Sequence, residues 1–366
     1  MIRFFSLIVL TTLFLLAFYI LNRSDVEDVK VATLEVKEKV TLIDNNEKET
    51  SIEPVLKANI NVLDDYVNKC VGDIENESIE ASTEVQDTEL LRGTLQNKFL
   101  DAFSTPLEDG NNRINALIQY GHSFPEDELI KTEIAIVCSK KPKLKECSQE
   151  LFNDIALDSS SDGEIWSYIA NFHAGNNDDE NTLKALNRAL ESNYYGNSFG
   201  ESISRVVFEL SGENSGSLHA SLTEALKLEA TNAPSYHGVI KFCEENIDDV
   251  YISSICFRFG QDMVSRGKNH SLFFIGMGLM RMMVDIGPFE TSQIRIPEQY
   301  QTYLKMNSDY KFHQASRVMM FNDDLLLSWI HNLEKSGELK ASIIIVNEVI
   351  KLAETRNFKY CKEQIN

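Results

Sequence analysis

Apolar side chains recur along most of this chain with the spacing of an α-helix. The segment 55–71 carries them at alternating steps of four and three residues, on one helical face: Leu56, Ile60, Leu63, Val67 and Cys70. From residue 88 onward similar patterns succeed one another with short polar breaks, and no alternating strand pattern appears. The sequence therefore predicts an all-α body of antiparallel helices joined by short loops.

Start and stop residues divide this body into helices. Pro125 and the acids after it open one helix, and Asp162 caps another that stops near Gly175. The leucines at 183, 186 and 190 line the next helix. Later helices are predicted at 202–210, 217–229, 235–245, 249–266, 270–286, 297–306, 309–320, 323–336 and 338–356.

The stretch 272–286, within one of these helices, is apolar nearly all round and contains Met277, Met280, Met282 and Met283. At about 15 residues, with Arg281 and Asp285 inside, it is too short and too charged to span a bilayer. It is predicted to be a core helix, and Gly276 and Gly278 to permit close packing against a neighbour. The alternative is an adaptable Met-rich groove for a partner helix.

The N-terminus carries an apolar run over residues 4–21. As a helix this run would span about 27 Å, close to the hydrocarbon thickness of a membrane. No small-x-small cleavage pattern ends it, which favours an uncleaved anchor over a cleaved signal peptide. Arg3 precedes the run and acids follow Arg23, so the N-terminus is expected in the cytoplasm and the body outside it. The predicted anchor domain is 1–23.

The formal net charge is −21, which disfavours nucleic acid and anionic lipid as partners. Residues 24–87 hold 17 acidic and 6 basic residues. Low hydrophobicity with high net charge predicts an acidic, disordered stalk over 24 to about 53. The whole segment 24–87 is predicted as a linker with one possible helix at 55–71 and a polar connection at 72–87. The helical domain is 88–366.

The six cysteines are even in number, which in an exported protein favours disulfides. Cys138 with Cys147, and Cys243 with Cys256, each flank a predicted inter-helix turn, so each pair is expected to bridge a helical hairpin. Cys70 and Cys361 remain, either as a third bridge or as free thiols. The alternative is six buried thiols in a cytoplasmic protein. There is no C-x-x-C, nor a Cys/His cluster with zinc spacing.

Two helix pairs resemble the tetratricopeptide (TPR) repeat or its Sel1-like relative. In the first, the positions that fit are Trp166, Ile169, Ala170, His173, Ala185 and Ala189. In the second they are Leu326, Trp329, Ile330, Leu333, Gly337, Ser342 and Val346. The first turn is about three residues too long for a standard TPR, and no constant period emerges along the chain. The resemblance implies a helical solenoid or bundle that binds peptides or proteins on a concave face.

Residues Gly196, Asn197, Ser198, Phe199 and Gly200 spell G-x-S-x-G, but the strand that a hydrolase elbow requires is not predicted before them. An inter-helix loop is favoured instead, with Gly196 ending one helix and Ser198 capping the next. The seven histidines are scattered, without H-E-x-x-H spacing, and are expected to be partly exposed or satisfied within helix packing. No catalytic, cofactor-binding or metal-binding residue is predicted.

These observations favour a membrane-anchored, extracytoplasmic helical-repeat protein that binds protein partners in the cell envelope, as an adaptor, assembly or regulatory factor. No cofactor and no nucleic acid are expected. The alternatives are an envelope hydrolase with an unrecognised site and a small-ligand sensor.

Overall fold

The structure, a computed structural model, describes residues 60–81, 98–105, 110–158, 161–214 and 217–355. The predicted anchor at 4–21, the acidic stalk and Cys361 lie outside these ranges. Within them the regular structure is helical, as predicted, apart from a single bridge between Asp162 and Tyr194. None of the described helices is both long enough and apolar enough to cross a bilayer.

The first helices are α1 (Ile60–Ala81), α2 (Lys98–Ser104), α3 (Gly110–Ser123), α4 (Glu128–Lys140), α5 (Gln149–Asp158), α6 (Gly163–Gly175), α7 (Asp179–Glu191) and α8 (Ser198–Asn214). The later ones are α9 (Leu218–Asn232), α10 (His237–Glu245), α11 (Val250–Arg266), α12 (His270–Asp285), α13 (Glu298–Ser308), α14 (Lys311–Met320), α15 (Asp323–Ser336) and α16 (Glu338–Glu354). A short 3-10 turn, Thr291–Gln293, lies between α12 and α13.

Helix α1 continues ten residues past its predicted end. Its residues 72–81 are therefore helical, whereas the sequence predicted that the helix ends at residue 71. Polar, acidic side chains suggested a linker, but helix formation does not require an apolar residue at every turn. Residues 60–73 belong to the same compact unit as residues 98–355, whereas residues 74–81 belong to a second unit. Leu63, Tyr66 and Val67 are buried in the core.

Successive helices pair as hairpins, most extensively α6 with α7, α8 with α9, α11 with α12 and α15 with α16. Small residues let the paired helices pack closely together. In the α11–α12 pair, a Cβ on Gly276 would come within 2.5 Å of the Gly260 carbonyl oxygen. Gly278 faces open space, so the expectation that it serves close packing was wrong. At the α15–α16 turn, Gly337 has a φ of 85° and lies against the backbone of Lys268, which favours glycine there.

Helices distant in sequence also pack together. Helix α8 contacts both α4 and α15, and α9 contacts α15 as well. In a solenoid each repeat contacts only its neighbours. The contacts of α8 and α9 with α15 therefore differ from those of a regular solenoid.

Two disulfides are present as predicted. Cys138–Cys147 ties the end of α4 to the segment before α5, and Cys243–Cys256 ties α10 to α11. Cys70 is also disulfide-bonded. Because disulfides persist in oxidising compartments, they indicate an extracytoplasmic environment for the body.

The methionine-rich segment forms α12, as predicted, and it is a core helix. Met280 and Met283 are fully buried, and Met277 is 9 % exposed. These side chains fill the interior, so they do not form the open methionine groove that was the alternative.

Candidate functional site

A broad groove lies between the α3–α4 connection, one face of α8 and the end of α15. Its volume is about 1590 Å³. One wall is formed by residues from Ser123 to Leu129, and the opposite wall by His331, Glu334 and Lys335. Its floor is formed by Glu201, Ser204, Arg205, Phe208 and Glu209. This surface, hereafter the acidic groove, is assembled from three separate parts of the chain.

The floor is the polar face of α8, and the apolar face of this helix is buried. Residues at 201, 204, 205 and 208 follow at helical spacing and point into the groove. Between them, Ile203, Val206 and Val207 are completely buried against the body. Burial of this apolar face holds the polar face of α8 toward the opening, so the position of the groove is set by core packing.

Arg205 fixes the near wall to the floor. Its guanidinium donates to Asp127 Oδ2 over 2.6 Å and to the Tyr120 hydroxyl over 2.8 Å. It also lies 3.8 Å from the centre of the Phe99 ring, close enough for a cation–π interaction. Asp127 is the N-cap residue of α4, which begins three residues after the Pro125 start predicted from sequence.

The opposite wall is tied to the floor by Ser204, whose hydroxyl donates to Glu334 Oε2 over 2.7 Å. Nearby, the Asn197 side-chain amide donates to the carbonyls of Leu333 and Glu334 over 2.6 and 2.7 Å. These carbonyls belong to the last turn of α15, where intrahelical partners run out. Both walls are thus held to α8 by hydrogen bonds, and the groove is preformed.

Negative charge accumulates in the groove. The pKa of Glu201 is raised above its usual value by partial desolvation and by four other carboxylates, in decreasing order Asp162, Glu334, Asp127 and Glu128. Its side chain is still open to solvent. In the described part of the chain, neither Glu201 nor Glu334 forms an ion pair. An unneutralised acidic potential therefore faces solvent here.

Two aromatic rings flank these charges. Phe124 is 46 % exposed and Phe208 is 51 % exposed, although large apolar side chains are usually buried. Phe124 packs on Tyr120, with ring centroids 4.6 Å apart, which limits its freedom. One wall and the floor of the groove therefore each offer apolar surface beside acidic surface.

Behind the groove lies a buried carboxylate pair, Asp162 and Glu164, at the start of α6. Glu164 accepts hydrogen bonds from the Ser198 hydroxyl (2.7 Å), the Ser198 backbone N–H (3.0 Å) and the Tyr168 hydroxyl (3.0 Å). Asp162 accepts from the backbone N–H groups of Glu164 and Gly196. Burial, followed by the charge of Asp162, raises the pKa of Glu164 to about 7.

The G-x-S-x-G segment is an inter-helix loop, as the sequence favoured, but its caps differ from the prediction. Helix α7 ends at Glu191, five residues before Gly196. Asn197 caps α8 by accepting from the Gly200 N–H, and Ser198 is the first helical residue. Ser198 is buried and its hydroxyl is directed at Glu164, whereas an elbow nucleophile is exposed above a sheet.

A second buried acidic group joins α3, α4, α8 and α9. Arg113 pairs with Glu133 over 2.9 Å, and both side chains are nearly fully buried. The Ser202 hydroxyl donates to Glu229. Burial raises the pKa of Glu229, and the charge of Glu133 raises it further. Sequence reasoning missed this group, although Arg113 shares a helical face with Leu117 and Tyr120, a pattern that indicates burial.

The histidines lie where the sequence expected. His173 is buried beside Asp178, with 3.4 Å between Nδ1 and Oδ2, and the other six are exposed or half-buried. Over the described ranges, no group of three or more His, Cys, Asp or Glu side chains is arranged to hold a metal ion.

A smaller cleft of about 790 Å³ lies beside α15 and α16. It is lined by Asn322, Asp324, Leu325, Ser328, Glu348, Lys351, Leu352 and Thr355.

No family model, curated protein or solved structure matches this chain.

Proposed function

We propose that this chain is a membrane-anchored, extracytoplasmic interaction protein whose acidic groove binds a partner protein of the cell envelope. It would act as an adaptor, assembly or regulatory factor. The observation that carries the proposal is the pair of exposed rings, Phe124 and Phe208, on a preformed groove. Aromatic residues that stay exposed on a rigid surface are typical anchors of protein interfaces.

The size of the groove supports a protein partner over a small ligand. Pockets for small molecules measure roughly 300–1,000 Å³ and enclose their ligand. The acidic groove is larger, at about 1590 Å³, and lies open between three helical segments. The hydrolase alternative has less support, because the carboxylates of Asp162 and Glu164 are buried and already accept hydrogen bonds from the α6 and α8 termini.

The test is crosslinking in membranes with the full-length protein. A photoreactive amino acid replaces Phe208 in one variant and Phe274 in another, because Phe274 is a comparably exposed phenylalanine (49 %) on α12, outside the groove. A defined partner should be captured from position 208 and not from position 274. The purified partner should then bind Phe208→Ala about ten-fold more weakly than wild type, with Phe274→Ala unchanged.

Equal capture at both positions, or unchanged affinity of the partner for Phe208→Ala, would show that the acidic groove does not bind the partner. Because both phenylalanines are about half exposed, neither alanine variant should lose the fold. Far-ultraviolet circular dichroism checks this point.

A further inference from the structure

We infer that the acidic groove selects a short cationic, amphipathic segment, with Lys or Arg side chains alternating with bulky apolar ones. The inference rests on the proposed function and names the chemistry of the partner. It follows from the juxtaposition of the carboxylates of Glu201 and Glu334, which form no ion pair within the described ranges, with the exposed rings of Phe124 and Phe208.

The charge balance of the lining requires a cationic occupant. The lining holds six acids, Glu126, Asp127, Glu128, Glu201, Glu209 and Glu334, and two permanently basic side chains, Arg205 and Lys335. Lys131, outside the lining, pairs with Glu128 over 2.9 Å, and Arg205 also lies 3.9 Å from Glu209, so the excess of negative charge rests mainly on Glu126, Glu201 and Glu334. Arg205 is already engaged by Asp127 at 2.6 Å, so it neutralises little of the remaining field. A cationic side chain placed between Glu201 and Glu334 would meet carboxylates that belong to two different helices.

The separation of side chains along the floor indicates the length of the segment that binds there. Glu201 and Phe208 are seven residues apart on α8, which corresponds to about 10 Å along the helix axis. This distance matches about three residues of an extended chain or two turns of a helix. The occupant is therefore a segment of a partner, and its apolar side chains lie against Phe124 and Phe208 while its charges face the acids.

A second copy of this chain is a poor occupant, because each copy carries a formal net charge of −21. The densest basic stretch of the chain contains Lys140, Lys141, Lys143 and Lys145. Lys143 is bonded to the Asn176 side chain at 2.9 Å, and Lys140 is half-buried, so this stretch is partly engaged within the body. Anionic lipid is excluded by the same repulsion.

The test measures fluorescence anisotropy of labelled eight-residue peptides with the complete protein. The first peptide alternates Lys with Leu, the second replaces Lys by Glu, and the third replaces Leu by Ser. The Lys–Leu peptide should bind. The Glu–Leu peptide should not bind, and the Lys–Ser peptide should bind about ten-fold more weakly, because one lacks the charge and the other lacks the apolar anchors.

Matched charge variants localise the binding, since any cationic peptide is attracted to an acidic protein. Glu201→Gln combined with Glu334→Gln should weaken Lys–Leu binding about ten-fold. Glu244→Gln combined with Asp248→Asn removes the same number of exposed acids near the α10–α11 turn and should leave binding within about two-fold. All four side chains are exposed, so the fold is kept.

The outcomes separate the inference from the proposed function. An equal loss of affinity for the Lys–Leu peptide in both double variants would overturn the inference of a cationic segment. Binding of the Glu–Leu peptide as tight as that of the Lys–Leu peptide would overturn it as well. Capture of a partner at position 208 would in that case still support protein binding by the groove. Self-association through the groove in analytical ultracentrifugation, abolished by Phe208→Ala, would also overturn the inference in favour of a second copy.

Discussion

The Ser198 hydroxyl donates a hydrogen bond to Glu164 Oε1 over 2.7 Å, and the backbone N–H of the same serine donates to Oε2 over 3.0 Å. One buried carboxylate thereby joins the first turn of α8 to the first turn of α6. Helix N-termini carry unsatisfied N–H groups and partial positive charge, so a carboxylate between two of them interacts favourably with both helices. Because α8 forms the floor of the acidic groove, Glu164 also orients that floor.

Replacing Glu164 by Gln should stabilise the protein at alkaline pH. The raised pKa of about 7 means that the folded state binds a proton more tightly than the unfolded state. The contribution of Glu164 to stability is complete below the unfolded pKa near 4.5, declines as pH rises, and is lost above about 7. Ionisation of the buried Glu164 therefore lowers the free energy of unfolding at pH 8 by roughly 3 kcal/mol, as an upper bound. Glutamine avoids this cost, and its amide oxygen still accepts a hydrogen bond from Ser198.

Urea unfolding at pH 5 and pH 8 measures this difference. We expect Glu164→Gln to exceed wild type by about 1–3 kcal/mol at pH 8 and by much less at pH 5. Glu164→Ala, the control, should lose stability at both values, because it leaves the Ser198 N–H without a partner. A glutamine variant less stable than wild type at pH 8 would show that the ionised form is needed.

Gly196→Ala should disrupt the same junction by steric contact. A Cβ at this position would come within 2.5 Å of Glu164 Oε2 and 2.7 Å of Asp162 Oδ2. Displacing two buried, hydrogen-bonded carboxylates should cost about 1–3 kcal/mol of unfolding free energy.

Gly278→Ala is the matched control for this change, because Gly278 lies inside α12 and nothing lies within 4 Å of a Cβ there. Alanine in a helix interior should stabilise by about 0.5–1 kcal/mol. Opposite shifts of the two thermal midpoints are expected. Equal shifts of the two thermal midpoints would mean that the close contacts around Gly196 do not affect stability.

Sequence periodicity predicted the helices well where one face is apolar. Helix α15 matches its predicted bounds, and Asp162 is the N-cap of α6 as expected. Asp249, predicted as the first residue of its helix, is the N-cap of α11. The disulfides at Cys138–Cys147 and Cys243–Cys256 also followed from spacing, since each closes a short local hairpin.

The acidic groove was beyond such reasoning, because it depends on contacts between distant segments. Phe124 belongs to the connection between α3 and α4, Phe208 belongs to α8, and Glu334 is more than a hundred residues further along the chain. Local periodicity fixes which face of a helix is apolar, but it does not determine which helices pack together. The buried pair of Arg113 and Glu133 was missed for the same reason, since its partners lie twenty residues apart on different helices.

Removing either disulfide should destabilise the body by similar amounts. The loops closed by Cys138–Cys147 and Cys243–Cys256 span 9 and 13 residues. In the chain-entropy model each bridge contributes about 3 kcal/mol. Double alanine variants of each pair, compared by urea unfolding, measure the two contributions. A bridge whose removal leaves the unfolding midpoint unchanged would not constrain the unfolded chain as this model requires.

Binding of a cationic segment in the acidic groove should weaken as pH falls. The pKa of Glu201 is raised by partial desolvation and by the surrounding acids, so Glu201 takes up a proton at a higher pH than an ordinary glutamate. Protonation removes charge that the ligand needs, and the ligand conversely lowers that pKa and releases protons. The carboxylates that raise the pKa of Glu201 are Asp162, Glu334, Asp127 and Glu128. The other charged or titratable groups that line the groove are Glu126, Arg205, Glu209, His331 and Lys335.

Titrating the Lys–Leu peptide between pH 7.5 and pH 5 at constant ionic strength measures this effect; the chosen pH limits bracket roughly the range in which a raised glutamate pKa acts. Wild type should lose affinity progressively toward pH 5, whereas Glu201→Gln should bind more weakly at pH 7.5 and change less over the range. Glu244→Gln, a neutralised acid outside the groove, should keep the wild-type pH profile. If Glu201→Gln retains the full pH dependence, the titrating group lies elsewhere, and Glu201 does not contact the cationic side chain.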